Sequence, residues 1–217
     1  MEQESELCDF LVRSAREFGL NLAQTEVEHF ILYLTQLLHW NKVTNLTSIT
    51  DPYEIISKHF IDSLTALAAM EFPSNAVLLD VGAGAGFPGL PLKIARMDLQ
   101  LVVIEPSQKK CSFVGSVAGL LKLNDVSLFT GTLQQYVDQG EYRSGDIIVI
   151  RALRFDEVCD QAARALKPTG KVVLYRTEKL EAGSIFHGFT VEREQRFSLP
   201  LKHGHRVISV LSRPAQA

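Results

Sequence analysis

The first seventy residues place apolar side chains at helical spacing, with polar side chains between them. The first apolar stripe follows an i, i+3, i+4 pattern and consists of Leu7, Phe10, Leu11, Ala15 and Phe18. Gly19 comes directly after it, as glycine commonly does where a helix ends. A second stripe follows the capping-box pattern Thr25–Glu28, and a third follows Asp51-Pro52, a cap residue with proline at the first helical position. These patterns predict a helical cap over residues 1–70.

From residue 76 onward, the pattern changes to short apolar runs separated by helical stretches. Five runs rich in Val, Ile and Leu cover residues 76–81, 101–105, 126–130, 146–150 and 171–175. Such runs are typical of strands that are buried on both faces of a parallel sheet. The tail adds two predicted strands without a convincing helix between them, around residues 189–194 and 206–212, which indicates an antiparallel pair at one edge. Residues 71–217 are therefore predicted to form an α/β, doubly wound, mostly parallel Rossmann-like sheet.

Composition limits the class of protein. The 217 residues are 46% hydrophobic and 22% charged, an ordinary balance for one large domain or for one domain with a small extension. No run approaches the roughly 18 uncharged apolar residues of a transmembrane helix, and the N-terminus is acidic where a signal peptide is basic and then apolar. The three cysteines lie far apart without a CxxC pair. We therefore expect a cytoplasmic protein with no membrane segment, no disulfide framework and no zinc knuckle.

The main chemical signal is a glycine-rich segment where the first predicted strand turns into a helix. Residues 79–89 read Leu-Asp-Val-Gly-Ala-Gly-Ala-Gly-Phe-Pro-Gly, with Gly82, Gly84 and Gly86 at alternate positions. Glycines at such a turn let the backbone bend sharply and approach a ligand closely. Taken alone, the pattern is weak support for ligand binding, since a structural turn would look the same. Glu105 strengthens it, because an acid that ends the second strand can accept hydrogen bonds from both hydroxyls of a ribose.

Asp80 separates two nucleotide interpretations of this segment. A dinucleotide directs its pyrophosphate at the helix N-terminus, and such a site usually has no acid beside the loop. S-adenosylmethionine instead carries a sulfonium and an ammonium group, and an acid at position 80 suits that cationic end, directly or through water, or else orients the loop. With Leu166–Gly170 as a turn before the fifth strand, residues 76–212 resemble the class I S-adenosylmethionine-dependent methyltransferases.

Four segments narrow this resemblance to one family. In order along the chain they are Trp40–Thr47, Lys58–Leu64, Asp80–Gly89 and Arg151-Ala152. Together they resemble the signatures of the glucose-inhibited division protein B family, the RsmG methyltransferases of small-subunit ribosomal RNA, over essentially the whole chain. The resemblance implies methyl transfer from S-adenosylmethionine to N7 of one guanine in 16S rRNA, within a 30S particle or its precursor. It implies cofactor contacts by Gly82, Phe87, Glu105, Leu133, Gln134 and Arg151.

The implied reaction determines what the substrate side requires. Guanine N7 carries a free lone pair and no proton at neutral pH, so its methylation needs positioning and no general base. We therefore name no catalytic base and expect Arg151, Asn45 and His59 to position the target. Because the net charge is −3, RNA must meet a local basic face. The candidate RNA-binding residues are Lys109, Lys110, Arg154, Arg176, Lys202 and Arg206.

Two positions depart from the family pattern. Gln134 stands where the family often has an acid, although its amide or its backbone can still hydrogen-bond an adenine edge. Arg176-Thr177 stands where a Lys-Gly pair is expected, which bears on the substrate side rather than the cofactor side. The histidines in the segment 202–206 lack an acid or cysteine partner, so we expect no metal site.

Several alternatives remain open at the level of sequence. Trp40 and Asn45 fit structural roles, His59 fits a hydrogen bond between cap and sheet, and Lys58 with Asp62 fits an exposed i, i+4 ion pair. The chain is alternatively a methyltransferase of a small molecule or a protein. A third hypothesis is a non-catalytic ribosome assembly factor that retains a residual cofactor pocket.

Overall fold

An eight-stranded sheet forms the centre of the molecule, which we describe from a computed structural model for residues 2–213. The strands are β1 (Val77–Val81), β2 (Gln100–Glu105), β3 (Val126–Thr130), β4 (Gly145–Arg151), β5 (Leu166–Arg176), β6 (Ile185–Phe186), β7 (Phe189–Ser198) and β8 (His205–Ser212). Their order across the sheet is β3-β2-β1-β4-β5-β8-β7-β6. The first five are parallel, whereas β8, β7 and β6 continue the sheet with antiparallel pairing. The predicted doubly wound, mostly parallel sheet with an antiparallel edge is confirmed.

Helices cover both faces of this sheet. They are α1 (Glu2–Glu17), α2 (Gln24–Thr44), α3 (Pro52–Ile55), a π-helical segment (Ile56–Ile61), α4 (Asp62–Ala69), α5 (Gly89–Ala95), α6 (Gln108–Leu120), α7 (Leu133–Asp138) and α8 (Cys159–Ala165). Successive strand residues point to opposite faces, so Leu78 joins the core formed with α1 to α6, whereas Leu79 joins the core formed with α7 and α8. Among the helices of residues 2–213, none combines the length and apolar character needed to cross a membrane.

The N-terminal helices begin and end largely where the sequence predicts. Gly19 follows α1 with a φ of +75°, and Asp51 caps α3 by accepting a hydrogen bond from the amide of Glu54 at 2.9 Å. The capping box predicted at Thr25–Glu28 is wrong. The cap of α2 is Ala23, whose amide donates to the Glu26 carboxylate at 2.7 Å, because this acid lies three residues after the cap. We propose that the helical cap and the sheet domain divide near residue 70.

The segment Leu166–Gly170 was expected to be a turn before the fifth strand, and this prediction is wrong. Leu166 already pairs with Gly145, and Lys171 pairs with Ile147, so the residues between them form an irregular bulge within β5. The bulge is held at its base because the Lys167 ammonium group binds the Asp146 carboxylate at 2.8 Å. The short strand β6 was not predicted from the sequence, whereas the antiparallel pair of β7 and β8 was.

A π-helical segment interrupts the third predicted helix where it approaches the carboxyl edge of the sheet. Ile56–Ile61 lies between α3 and α4 and carries Lys58 and His59. The Ser57 hydroxyl donates to the Pro200 carbonyl at 3.0 Å, which ties this segment to the connection between β7 and β8. Single π-helical turns inside α-helices occur frequently at functional sites.

Candidate active site

The loop between β1 and α5 has a backbone shape that requires glycine. Gly82 and Gly84 have φ angles of +71° and +59°. The Gly82 amide donates to the Ile104 carbonyl at 2.8 Å, and the Gly84 amide donates to one carboxylate oxygen of Glu105 at 2.9 Å. The other oxygen of Glu105 accepts from the Ser107 amide at 2.9 Å. Glu105 therefore fixes the loop, and since each carboxylate oxygen has about two acceptor sites it can still accept hydroxyl donors.

Asp80 lies at the end of β1, beneath this loop, and is completely buried. Its Oδ2 accepts a hydrogen bond from the Gly89 amide at 2.7 Å, whereas its Oδ1 finds no partner among residues 2–213. Burial raises the pKa of Asp80 from its ordinary value of 3.8 to about 7, although the Gly89 hydrogen bond and the Arg151 cation act in the opposite direction. The first turn of α5 therefore rests on a buried acid that lacks one hydrogen-bond partner.

A cavity of about 330 Å³ opens beside the loop, and we call it the cofactor cavity. It brings together three predicted cofactor residues, Gly82, Leu133 and Gln134, with the residues on either side of Glu105. Its complete lining is Val81, Gly82, Ile104, Pro106, Gly131, Thr132, Leu133, Gln134, Leu153, Glu157, Val158 and Gln161. The Gln134 side chain accepts from the Gln161 amide at 2.5 Å, so the residue that replaces an acid is anchored to α8.

The geometry of this cavity suits S-adenosylmethionine. A Cβ added to Gly84 would meet no atom within 4 Å, and one added to Gly82 would meet only the Leu153 side chain, at 3.7 Å. The backbone of the loop is therefore open to a ligand. The apolar walls suit an adenine ring, and the Glu105 carboxylate, whose neighbours Ile104 and Pro106 line the cavity, suits ribose hydroxyls. Asp80 is not part of the lining and is completely buried, so its unpaired oxygen favours a positively charged group near the loop without contacting it.

A second cavity, of about 550 Å³, lies at the carboxyl ends of β4 and β5, and we call it the cationic cleft. Five cationic side chains and two carboxylates line it: Lys58, Arg151, Arg154, Arg176 and Arg206, with Asp156 and Glu178. Three of the predicted RNA-binding residues are among them. The Leu153 side chain lines both cavities, so the cofactor cavity and the cationic cleft share a wall.

Asp62 organises two arginines of the cationic cleft and is completely buried. The Arg206 Nε donates to Asp62 Oδ1 at 2.5 Å, and the Arg151 Nη1 donates to Asp62 Oδ2 at 3.0 Å. The predicted exposed pair between Lys58 and Asp62 is wrong, since Lys58 pairs with Glu54 at 2.9 Å. Asp62 is instead completely buried against Arg151 and Arg206, away from the solvent that Lys58 reaches.

Arg151 is fixed by contacts with the helical cap. Its Nη1 also donates to the Lys58 carbonyl at 3.1 Å, its Nη2 donates to His59 Nδ1 at 3.2 Å, and its guanidinium lies 5.2 Å from the centre of the Phe87 ring. The hydrogen bonds to Lys58, His59 and Asp62 use three of the five N–H groups of a guanidinium. The side chain is 13% exposed, so the other donors are available to a ligand in the cationic cleft.

His59 is held as a neutral ring by its two partners. Arginine can only donate, so His59 Nδ1 is the acceptor and Nε2–H donates to the Thr47 hydroxyl at 2.9 Å. Burial, and to a smaller extent the Arg151 cation, lower the pKa of His59 from 6.5 to about 3. The His59 ring therefore connects the helical cap to the sheet, which was one of the two roles expected for it. The residue also lines the cationic cleft.

Other predicted site residues lie outside both cavities. The Phe87 ring is buried between the rings of Tyr33 and His59, at centroid distances of 5.4 and 4.6 Å. Asn45 is the left-handed C-cap of α2, with a φ of +47°. Lys109 and Lys110 lie in the first turn of α6. Gly86 is packed against Leu90, and Lys202 lies in the connection between β7 and β8.

Three residues that shape the site were missed by sequence reasoning. Asp62 was read as a surface acid, although its place four residues after Lys58 in a quoted family segment was a signal that it mattered. Leu153 gave no signal, because an isolated leucine after a strand looks like ordinary core. Phe186 lines the cationic cleft from a strand too short to predict. Residues 2–213 contain no group of three or more His, Cys, Asp or Glu side chains that could hold a metal ion.

Comparison with known proteins identifies the family. A sequence model described as GidB, rRNA small subunit methyltransferase G, matches residues 26–207. The chain belongs to this family. The ribosomal RNA small subunit methyltransferase G of Oceanobacillus iheyensis is 32% identical over 94% of this chain and 90% of its own length. The protein of the same name from Staphylococcus epidermidis is 33% identical over 96% of this chain and 90% of its own length.

A solved structure supports the fold. The precorrin-6y C5,15-methyltransferase of Geobacter metallireducens superposes with a TM-score of 0.54 at 16% identity, over 70% of this chain and 87% of its own. At this identity the likeness concerns architecture alone. The sheet with its flanking helices thus has the architecture of a known methyltransferase.

Proposed function

We propose that this chain transfers the methyl group of S-adenosylmethionine to N7 of a specific guanine in 16S ribosomal RNA. The observation that carries the proposal is that Leu153 lines both the cofactor cavity and the cationic cleft, so that the two cavities adjoin at this wall. Groups held in the two cavities approach each other at this wall, as direct transfer of a methyl group requires. Membership in the small-subunit methyltransferase G family supports ribosomal RNA as the substrate.

The cofactor residues divide into three roles. When bound, S-adenosylmethionine supplies an electrophilic methyl group on a positively charged sulfur. Gly82, Leu133 and Gln134 would hold its adenosine part in the cofactor cavity. Glu105 would accept hydrogen bonds from the ribose while it keeps the loop in place. Asp80, Gly84 and Gly86 would shape the loop, and Phe87 would act through the backbone or by supporting Arg151.

The cationic cleft suits an acceptor that carries no proton. His59 lies in the cleft beside Arg151, where a general base could act. However, the His59 Nδ1 lone pair already accepts a hydrogen bond from Arg151, and a pKa of about 3 makes the ring a poor proton acceptor. Guanine N7 needs no deprotonation, so the protein has only to align it. Proximity and orientation of this kind are worth about 7–11 kcal/mol in favourable cases. Arg151 has free N–H donors with which to hold the guanine O6.

Charge in the cleft is balanced for this reaction. Methylation at N7 leaves a positive charge on the base, and a bare arginine beside it would oppose the transfer. Asp62 offsets part of the charge of Arg151 and Arg206, and the neutral His59 adds none. Arg151 can therefore donate hydrogen bonds to the base with less electrostatic opposition.

We place the substrate within a 30S particle or its precursor, in the cytoplasm where bacterial ribosomes are assembled. The chain has a net charge of −3, yet cationic side chains outnumber carboxylates around the cleft. RNA affinity should therefore fall with salt in proportion to the number of phosphate contacts. Arg154 at the cleft, with Lys109 and Lys110 at the start of α6, are our proposed phosphate contacts, and Arg176 contacts the RNA from the same cleft.

Transfer of labelled methyl to separate substrates tests the proposal. Purified protein is given labelled S-adenosylmethionine with 30S particles, bare 16S rRNA, or a pool of small molecules and proteins, and the labelled nucleotide is mapped by mass. We expect label in N7-methylguanosine of the rRNA. Label only in small molecules or proteins, or none at all with every acceptor, would contradict the proposal and favour the alternative enzyme or the non-catalytic factor.

The pH dependence of the same reaction tests the assignment of N7. In single turnovers with saturating RNA and cofactor, the rate should stay level between about pH 6 and 8, because no base must lose a proton. Arg151→Ala should lower this rate, whereas Lys109→Ala/Lys110→Ala should raise the RNA KM and flatten the salt dependence. A log-linear rise with pH that one His, Asp or Glu variant abolishes would instead indicate an acceptor bearing a proton.

A further inference from the structure

Three planar groups stack in the lining of the cationic cleft, and the proposed methyl transfer makes no use of their planarity. The Phe155 and Phe186 rings lie 5.9 Å apart at an angle of 14°, and the Arg176 guanidinium lies over the Phe186 ring at 5.0 Å. All three side chains line the cleft. We call Phe155, Phe186 and Arg176 the Arg176 stack.

We propose that the Arg176 stack binds an unpaired nucleobase of the RNA, next to the guanine that is methylated. Unpaired bases stack on aromatic rings and on the planes of arginine guanidinium groups. A stack of this kind, in a cleft lined by five cationic side chains and two carboxylates, offers such a surface together with positive charge for the adjoining phosphate. The proposal rests on the proposed function, because the ligand is the same RNA.

The stack is organised before RNA arrives. The Arg176 Nε donates to the Glu178 carbonyl at 3.3 Å, and its own carbonyl accepts from Arg206 Nη1 at 3.2 Å. Phe155 is 5% exposed and packs edge-on against Phe189, with ring centroids 5.4 Å apart. Because these contacts already fix the orientation of the rings and the guanidinium, stacking of a base on them requires little further loss of side-chain entropy.

The position of the stack assigns it to a second nucleotide. The strand order β1-β4-β5 puts the cofactor loop, Arg151 and Arg176 on three successive strands, and Arg151 is paired with Tyr175. At a spacing of about 4.8 Å per strand, β5 lies roughly 10 Å from β1. The methylated base must reach the wall at Leu153, which directly follows β4. A base on the Arg176 stack lies one strand farther away.

The residue type at position 176 allows a role in stacking to be distinguished from a role based on positive charge alone. The family pattern leads us to expect lysine here, and this chain has arginine. Lysine and arginine both bind a phosphate, but only the guanidinium is planar and can lie flat between Phe186 and a base. Replacing Arg176 by lysine therefore separates stacking from a phosphate contact.

Two measurements on the full-length protein test the stack. The first is the KM for 30S particles in methyl transfer, and the second is the fluorescence of 2-aminopurine in a single-stranded RNA oligonucleotide, which falls when the base stacks. Arg176→Ala should raise the KM by about 5-fold to 150-fold, the range for loss of one stacked base. Arg176→Lys should recover little of this loss, and Phe186→Leu should raise the KM several-fold, since the guanidinium loses its support. Arg176→Lys and Phe186→Leu should also reduce the quenching of 2-aminopurine fluorescence by the protein.

Arg143→Lys is the matched control. Arg143 lies just before β4 at the opposite edge of the sheet, where its Nη2 donates to Gln100 Oε1 at 2.5 Å. The same substitution there should leave the KM and the quenching unchanged. S-adenosylmethionine affinity measured by calorimetry should be unchanged in all variants, which shows that each remains folded.

The outcomes distinguish this proposal from the proposed function. Wild-type KM and quenching in Arg176→Lys would overturn the stack and indicate a phosphate contact, and unchanged values in Phe186→Leu would overturn it equally. A wild-type protein that methylates no RNA would overturn the proposed function. Even then, the stack would be supported if the wild type quenched 2-aminopurine fluorescence and Arg176→Lys did not, because this result requires only a surface on which a base stacks.

Discussion

Two completely buried carboxylates lie near the carboxyl edge of the sheet, one on the substrate side and one on the cofactor side. Asp62 on the substrate side meets two guanidinium groups, with hydrogen bonds to Arg206 at 2.5 and 2.8 Å and to Arg151 at 3.0 Å. Asp80 on the cofactor side receives one amide hydrogen bond, from Gly89, and its Oδ1 has no partner among residues 2–213. The two carboxylates are therefore equally buried, but the hydrogen bonds and opposite charges that offset the cost of burial are far more numerous at Asp62 than at Asp80.

This difference indicates on which side of the site the buried charge is already balanced without a ligand. The charge of Asp62 is balanced by residues from β4 and β8, so the cationic cleft keeps its shape without a ligand. Asp80 bears the cost of burial with one neutral hydrogen bond, which is why its pKa is raised to about 7. A positively charged ligand near Asp80 would supply the missing compensation.

Removal of Asp62 should have the largest effect. Asp62→Ala leaves two partly buried arginines without their carboxylate, and breaking a buried ion pair in this way costs about 3–5 kcal/mol. We expect the free energy of unfolding, measured with urea, to fall by this amount, and RNA methylation to fall with it. Cofactor affinity at a temperature where the variant is folded should change little.

The double variant Asp62→Ala/Arg206→Ala is the control for this prediction. It removes one of the stranded charges, so it should be less destabilised than the sum of the two single variants. A loss below about 1 kcal/mol in Asp62→Ala, or strict additivity in the double variant, would show that Asp62 is not the common anchor of the two arginines.

The same comparison explains how much the sequence could predict. The strands could be read from apolar runs, and the cofactor loop from Gly82, Gly84 and Glu105, because these signals lie within short segments or at fixed offsets. The environment of Asp62 could not be read, since its partners Arg151 and Arg206 lie 89 and 144 positions away in the chain. The i, i+4 spacing also misled at this point, because Lys58 pairs with Glu54 on its own helix whereas Asp62 meets two arginines from the sheet.

Glu105 is expected to have the second-largest effect, on the cofactor side. Glu105→Ala removes the acceptor that holds the Gly84 amide and that would receive the ribose hydroxyls. Hydrogen bonds to a charged group contribute about 1.5–3 kcal/mol, so S-adenosylmethionine affinity measured by calorimetry should fall by about 10-fold to 150-fold. Binding of NADH but not S-adenosylmethionine by the wild type would show that the loop and Glu105 serve a dinucleotide instead.

Asp80 should make stability depend on pH in an unusual direction. Its pKa in the folded protein, about 7, lies above its ordinary value of 3.8, so the folded chain binds more protons than the unfolded chain between these values. The contribution of Asp80 to stability is therefore present below about pH 4 and is lost as pH rises through 7. In Asp80→Asn, whose amide oxygen can still accept from Gly89, this loss should disappear. Urea unfolding of both proteins between pH 5 and 8 measures the difference.

The affinity for S-adenosylmethionine should depend on the same proton. A cationic ligand favours the ionised form of Asp80, so binding should release a proton, and affinity should rise by up to tenfold per pH unit below about pH 7 and then level off. The amino group of the ligand also titrates, but equally for both proteins, so the difference between wild type and Asp80→Asn reports Asp80 alone. Identical pH profiles of the two proteins would show that Asp80 supports the loop without sensing the ligand.

The smallest effect should come from adding one methyl group to the loop above Asp80. Gly84 and Gly140 both have positive φ angles, +59° and +88°, and a Cβ at either position would meet no atom within 4 Å. Gly84→Ala and Gly140→Ala should therefore lose a similar free energy of unfolding, about 1 kcal/mol, from backbone strain alone. Gly140 follows α7, away from the loop, so only Gly84→Ala should also weaken S-adenosylmethionine binding, by about 1–2 kcal/mol if the methyl group occupies space that the ligand needs. Calorimetry on the pair separates strain from contact, because the strain is common to both variants. Equal affinities would place the ligand away from Gly84 and would leave Gly82 as the point where the loop meets the cofactor cavity.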